Sequence, residues 1–179
     1  MKNKIQNLYK KKSSLEYSRP EFGLLQNINW IWTEKIGGVP TLIKWDGYNI
    51  TNQIPEYLLE ILNREKFEKV FGNNIEVEVT LLGNSFEKDF ILFDILIGEW
   101  VLSKTDVKGI ANKLGINTVP IVGEGTLKEA IKLVKKGFKS HYKPINNLKA
   151  EGLVCIPKYE LFDRAGERII VKIDQKDLI

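Results

Sequence analysis

Lys35 follows the apolar run Trp30-Ile31-Trp32 and is followed at once by Gly37-Gly38. A lysine at a strand end before two glycines can come close to a ligand, because glycine removes side-chain bulk. To act as a nucleophile its amine must lose a proton, which needs desolvation or a neighbouring positive charge. Lys172, inside the apolar run 169–173, could supply that charge if the fold brings it near, and could hold a phosphate. Glu34, beside the lysine, and Glu151, which opens the run Gly152-Leu153-Val154, offer carboxylates for ribose hydroxyls, base edges or a metal. Taken alone, a lysine in a K-x-x-G pattern reads as an exposed strand residue.

Other chemistries have little to work with. The chain has one histidine, His141, and one cysteine, Cys155. That excludes zinc clusters of the Cys/His type and an intramolecular disulfide. His141 lies in a polar stretch and reads as a surface residue; Cys155 lies in an apolar run and reads as a buried thiol. Of 179 residues 43% are hydrophobic, enough for a buried core, and the formal net charge of +4 suits an anionic ligand. The sequence holds no apolar run of membrane-spanning length and no signal-peptide pattern after Met1. The expectation is a cytoplasmic protein without a membrane partner.

The elements that must position these residues follow from periodicity. Residues 29–36 read as a strand. Residues 41–45 and 48–51 read as a hairpin around Asp46-Gly47, a favoured two-residue turn. Pro55 opens a helix to about Val70. Residues 75–82 alternate as a strand, and 90–97 are nearly continuously apolar, as a covered central strand should be. Ser103 caps a helix that stops at Gly115; a short strand spans 118–122; Thr126 and Glu129 form a capping box for a helix that stops at Gly137. Strands around 153–156 and 169–173 close an α+β pattern rich in antiparallel sheet. Lys128, Lys132, Lys135, Lys136 and Lys139 mark one side of the helix after Thr126, either a solvated face or a track for a nucleic-acid backbone.

In order and spacing, these stretches resemble the RNA ligase family of covalent nucleotidyltransferases. Trp30-Ile31-Trp32-Thr33-Glu34-Lys35 followed by Trp45-Asp46-Gly47-Tyr48 is similar to the first hairpin of phage and bacterial RNA ligases. Gln53-Ile54-Pro55, Leu92-Phe93-Asp94, Lys113-Leu114-Gly115-Ile116, Thr118-Val119-Pro120, Gly125-Thr126-Leu127, Ala150-Glu151-Gly152-Leu153-Val154 and Val171-Lys172 follow in the family's order. The resemblance implies a ligase-type nucleotidyltransferase (adenylation) domain of α+β class, with two antiparallel sheets framing a nucleotide pocket and flanking helices. The length leads to the expectation of one domain over 1–179, with 1–28 as an N-terminal basic segment and no C-terminal RNA-binding domain. The resemblance further implies that Lys35 would attack the α-phosphate of ATP and carry AMP, that Glu151 would help bind metal, and that Lys172 would contact phosphate. The implied nucleotide-binding set is Glu34, Lys35, Gly38, Glu151 and Lys172.

The departures from the family pattern are specific. The lysine motif usually continues with an acidic or histidine residue, Gly, Thr and Asn; here it is Gly37-Gly38-Val39-Pro40. The arginine-bearing loop after the hairpin is missing, since Thr51-Asn52-Gln53-Ile54 passes straight into the helix. A strand that normally ends in Tyr-Gly-Glu ends in Leu82-Gly83-Asn84, and Asp174 stands where the terminal motif has its second lysine. Losing one such stabilising group is worth about 2.7–4 kcal/mol in acyl transfer. The expectation is a catalytically degenerate protein that binds a nucleotide or a nucleotide-derived signal, such as a cyclic nucleotide or an NAD derivative, without turnover and without a required cofactor. The family's occurrence in phages suggests sequestration of a host defence signal. The alternative is an active minimal RNA ligase that uses ATP and Mg²⁺ and forms lysyl-AMP on Lys35, with RNA as a partner. A third reading, a protein-interaction module, fits poorly with retention of Glu34, Lys35, Glu151 and Lys172.

Overall fold

The computed structural model describes residues 5–10, 15–52, 54–84, 89–142 and 148–178. The chain forms two compact units, one of Met1–Lys35 with Pro120–Ile179, the other of Ile36–Val119. Lys11 and Lys12 of the basic run, Gln53 before the first predicted helix and the loop at 85–88 lie outside the described residues.

The first unit is built on a five-stranded sheet of β1 (Gln6–Asn7), β2 (Trp30–Glu34), β8 (Ile121–Gly125), β9 (Gly152–Pro157) and β10 (Val171–Asp174), in the order β1-β10-β9-β2-β8. All pairings are antiparallel except β1 with β10. β9 is buried along its whole length, as a central strand with apolar residues on both faces must be. The helix α5 (Leu127–Lys136) lies over one face of this sheet. Leu127, Ala130 and Val134 join Trp30, Trp32, Leu153, Cys155, Val171 and Ile173 in one core. Thr126 and Glu129 form the expected capping box, and Gly137 ends the helix at φ 75°. Residues 1–28 do more than a basic segment would: Leu8, Tyr9 and Phe22 are buried in this core, and a short helix α1 (Glu21–Leu25) carries Phe22 into it. Cys155 is buried there, and desolvation pushes its thiol well above the ordinary range.

The second unit carries β3 (Val39–Trp45), β4 (Val77–Asn84), β5 (Asp89–Ile97) and β6 (Trp100–Val101), antiparallel in that order, with β7 (Asn117–Thr118) parallel to β5. The helices α2 (Glu56–Ile61), α3 (Arg64–Phe71) and α4 (Lys104–Leu114) belong to this unit. Residues 91–96 of β5 are all buried, as their apolar run requires. Ser103 caps α4, and Gly115 ends it in the left-handed conformation.

Three expectations change. The 41–51 hairpin shrinks to one bridge, Trp45 to Ile50, and β3 pairs with β4 instead. The Asp46 carboxylate accepts the N–H groups of Tyr48 and Asn49, and the Asn52 side chain bonds Lys44 N–H and Leu42 C=O. Asp46 thus closes the turn, and the Asn52 side chain occupies the backbone positions of β3 that a longer return strand would use. The predicted 55–70 helix is two helices, because the Asn63 side chain caps a new start by accepting from Lys66 N–H. The predicted 118–122 strand divides into β7 and β8, which belong to different sheets.

Candidate functional site

Strand register builds the site in the first unit. Glu34 of β2 pairs with Leu153 of β9, which pairs with Ile173 of β10. One residue along, Lys35 donates its N–H to Gly152 O at 3.0 Å, and Gly152 pairs with Asp174. Lys35, Gly152 and Asp174 thus form one row across three strands. Successive side chains alternate between faces, so this row and the next, Thr33, Val154 and Lys172, lie on the face opposite α5.

The middle residue of the row has no side chain. Gly152 has φ 155°, and a Cβ there would sit 2.0 Å from Ile173 O. With that space bare, the Lys35 ammonium reaches over to the Asp174 carboxylate at 2.9 Å. It also donates to Glu151 Oε2 at 2.7 Å. The Lys35 side chain is 19% exposed and the Asp174 side chain 6%, whereas Glu151 is 63% exposed. Burial by itself would lower the Lys35 pKa. The hydrogen bonds and charges of Asp174 and Glu151 outweigh it and hold the ammonium above the ordinary lysine value. Lys172, two residues before Asp174 on the same strand, is half-buried and makes no ion pair with a described residue.

The other candidates have different places. Glu34 is buried on the α5 side of the sheet. Its carboxylate accepts from Ser140 Oγ at 2.5 Å, from His141 N–H at 2.7 Å and from Tyr142 N–H at 3.2 Å. It therefore anchors the segment after α5, while Lys35 faces the other way. Gly38 belongs to the second unit, where its φ of 148° and the approach of Gly83 backbone (2.8 Å from a Cβ placed there) account for the glycine. Val39 and Pro40 are exposed in β3, and Asn84 ends β4 opposite Asp89. The carboxylates beside Lys35 are Glu151 and Asp174, and both engage its ammonium, so they do not fit a resident divalent cation. Among the described residues no group of three or more His, Cys, Asp or Glu side chains could hold a metal, and no helix is long and apolar enough to cross a membrane.

In sequence Asp174 stood out only as the replacement for the second lysine of the terminal motif. Sequence reasoning missed the direct bond to Lys35, for which the signal was the Glu-Gly pair itself: a glycine opposite both residues. It also missed Ser140 as the partner of Glu34.

Comparison with known proteins gives a consistent picture. The model of the RNA ligase family matches residues 28–173. No curated protein matches the chain. Among solved structures, a Naegleria gruberi RNA ligase without ligand is similar at a TM-score of 0.63 and 18% identity, covering 99% of this chain and 56% of that one. A variant of that ligase with ATP and manganese aligns at a TM-score of 0.61 and 17% identity, over 97% of this chain and 56% of that one. The same ligase with pyrophosphate aligns at 0.57 and 15% identity, over 97% of this chain and 60% of that one. The chain spans little more than half the length of these ligases, and at such identity the likeness shows the fold.

Proposed function

Given that this chain belongs to the RNA ligase family, we propose that it is a catalytically degenerate member that binds a nucleotide or nucleotide-derived signal without turnover. The observation that carries the reading is the bond pair from Lys35 to Asp174 and Glu151. A lysine nucleophile attacks phosphorus through a free electron pair. An ordinary lysine already has its amine free in fewer than about one molecule in a thousand at neutral pH. The environment of Lys35 shifts that balance further toward the ammonium, whereas activation needs a neighbouring cation or an apolar pocket without counter-charges.

The same geometry suits binding. Lys35 and Lys172 supply two positive charges to the face, and Glu151 and Asp174 cancel them. A locally neutral site offers little net attraction for a triphosphate. It fits a ligand of lower charge: a mononucleotide, a cyclic mono- or dinucleotide, or an NAD-derived signal. Lys172, free of an ion pair with described residues, would take the phosphate. The exposed Glu151 carboxylate can accept from ribose hydroxyls. A binder without turnover acts by holding its ligand, and sequestration of a signalling nucleotide is the use that follows.

A thermal-shift screen against these nucleotides tests the reading. A ligand specific to the folded state stabilises by about 2.7 kcal/mol at a hundredfold excess over Kd. The expected result is a clear rise in Tm with one such nucleotide, lost in Lys172→Ala, and recovery of the ligand chemically unchanged after heat release. No shift with any of them, or recovery of a cleaved or transferred product, would contradict it.

A further inference from the structure

The outer surface of α5 carries a pattern that the site does not use. Lys128, Lys132, Lys135 and Lys136 are all exposed on the helix, and Lys139 follows directly after it. Lys139 then forms an antiparallel bridge with Lys149, also exposed. None of the six makes an ion pair with a described residue. Glu129 is the one acid on the helix, and its carboxylate accepts from the N–H and hydroxyl of Thr126 in the capping box.

This arrangement costs the folded protein stability. Lys128 with Lys132 and Lys132 with Lys136 are like-charge pairs at i, i+4, each destabilising an isolated helix. Lys139 opposite Lys149 is a like-charge cross-strand pair, also unfavourable. The helix dipole favours Lys135 and Lys136 in the last turn. It opposes Lys128, which sits in the first turn. A merely solvated face would carry several interspersed acids; here Glu129, three residues before Lys132, is the single one, and the Lys132 charge favours its carboxylate. The cost is relieved by a polyanion laid along the helix, where successive lysines step by about 6 Å.

We propose that the exposed face of α5, with Lys139 and Lys149, binds the phosphodiester backbone of a nucleic acid. α5 packs on the face of the sheet opposite the one that carries Lys35, so its outer surface is separate from the nucleotide site and from strand ends. Lysines grip phosphates as point charges without base readout, so binding is insensitive to sequence and steeply dependent on salt.

The test is fluorescence anisotropy of the full chain with a labelled single-stranded RNA of about 20 nucleotides, repeated with its duplex and with DNA of the same sequence. For five phosphate contacts to a single strand, affinity falls about 100-fold between about 50 and 200 mM salt. In Lys128→Glu/Lys132→Glu/Lys136→Glu the fall shrinks to less than about tenfold, and binding at low salt weakens. The corresponding Gln triple variant, which leaves the helix with fewer new interactions, shows the same direction. The control is Lys108→Glu/Lys113→Glu, on exposed residues of α4. It should leave the salt slope unchanged. The RNA and DNA arms decide which backbone is preferred. Absence of salt-dependent binding to every oligonucleotide, or equal loss in the stripe and α4 variants, would overturn the proposal. The stripe variants should keep any nucleotide-induced rise in Tm, which separates this result from the reading of the Lys35 site.

Discussion

Lys35 and Asp174 meet at 2.9 Å across Gly152, the residue of the intervening strand that contributes no side chain. Asp174 is nearly sealed from solvent and Lys35 is largely so. The pair is therefore a structural bond as well as an electrostatic setting for the lysine. Together with Glu151, Asp174 favours the ammonium form of Lys35.

The first prediction follows from the sign of that effect. The Lys35 pKa in the fold is raised by Asp174 and Glu151. An ammonium of this kind stabilises the fold fully below the unfolded lysine value of about 10.4, and the contribution is lost as pH rises through the higher folded value. Asp174→Asn should cost about 2 kcal/mol at neutral pH, the scale of a hydrogen bond to a charged group. The gap in Tm between wild type and variant should stay full to about pH 9 and close at more alkaline pH. A gap that widens with rising pH would contradict the assignment.

Gly152→Ala should be among the most damaging single methyl additions in the chain. The new Cβ would fall 2.0 Å from the Ile173 carbonyl oxygen, at a φ of 155°. A cost of about 3 kcal/mol or more in urea unfolding is expected. Gly166→Ala is the comparison. Its φ of 77° is also positive, but nothing lies within 4 Å, so only the backbone strain of about 1 kcal/mol applies.

Glu34→Ala should loosen the segment after α5 without touching the face that carries Lys35. It removes the carboxylate that Ser140 Oγ, His141 N–H and Tyr142 N–H share, while Tyr142 N–H keeps its contact with Ser140 Oγ, at a cost of about 2 kcal/mol. Hydrogen exchange at the His141 and Tyr142 amides should accelerate, while a ligand-induced Tm shift persists. Unchanged exchange at those amides would count against this role.

How much of this was readable in the sequence depended on whether local chemistry or tertiary contact decided. The caps at Ser103, Thr126, Gly115 and Gly137 were legible because capping is local. β5 and β9 were legible because continuous apolar runs have few alternatives. The hairpin after Trp45 was not, because Asn52 replaces a strand by two side-chain bonds that no periodicity signals. The helix break at Asn63 was hidden by apolar residues on both sides of it. At the site, the order of motifs pointed to Lys35, Glu151 and Lys172, and the first unit places all three around β9. The place of Glu34 was not legible from its neighbour: adjacent strand residues face opposite ways, so a carboxylate next to Lys35 in sequence is on the far side of the sheet.

The most direct measurement is the intact mass of the full chain after incubation with ATP and Mg²⁺. The account predicts the unmodified mass, for wild type and Lys35→Ala alike, because Asp174 and Glu151 keep Lys35 protonated. An AMP adduct on wild type that is absent from Lys35→Ala would contradict it, and would identify the chain as an active nucleotidyltransferase.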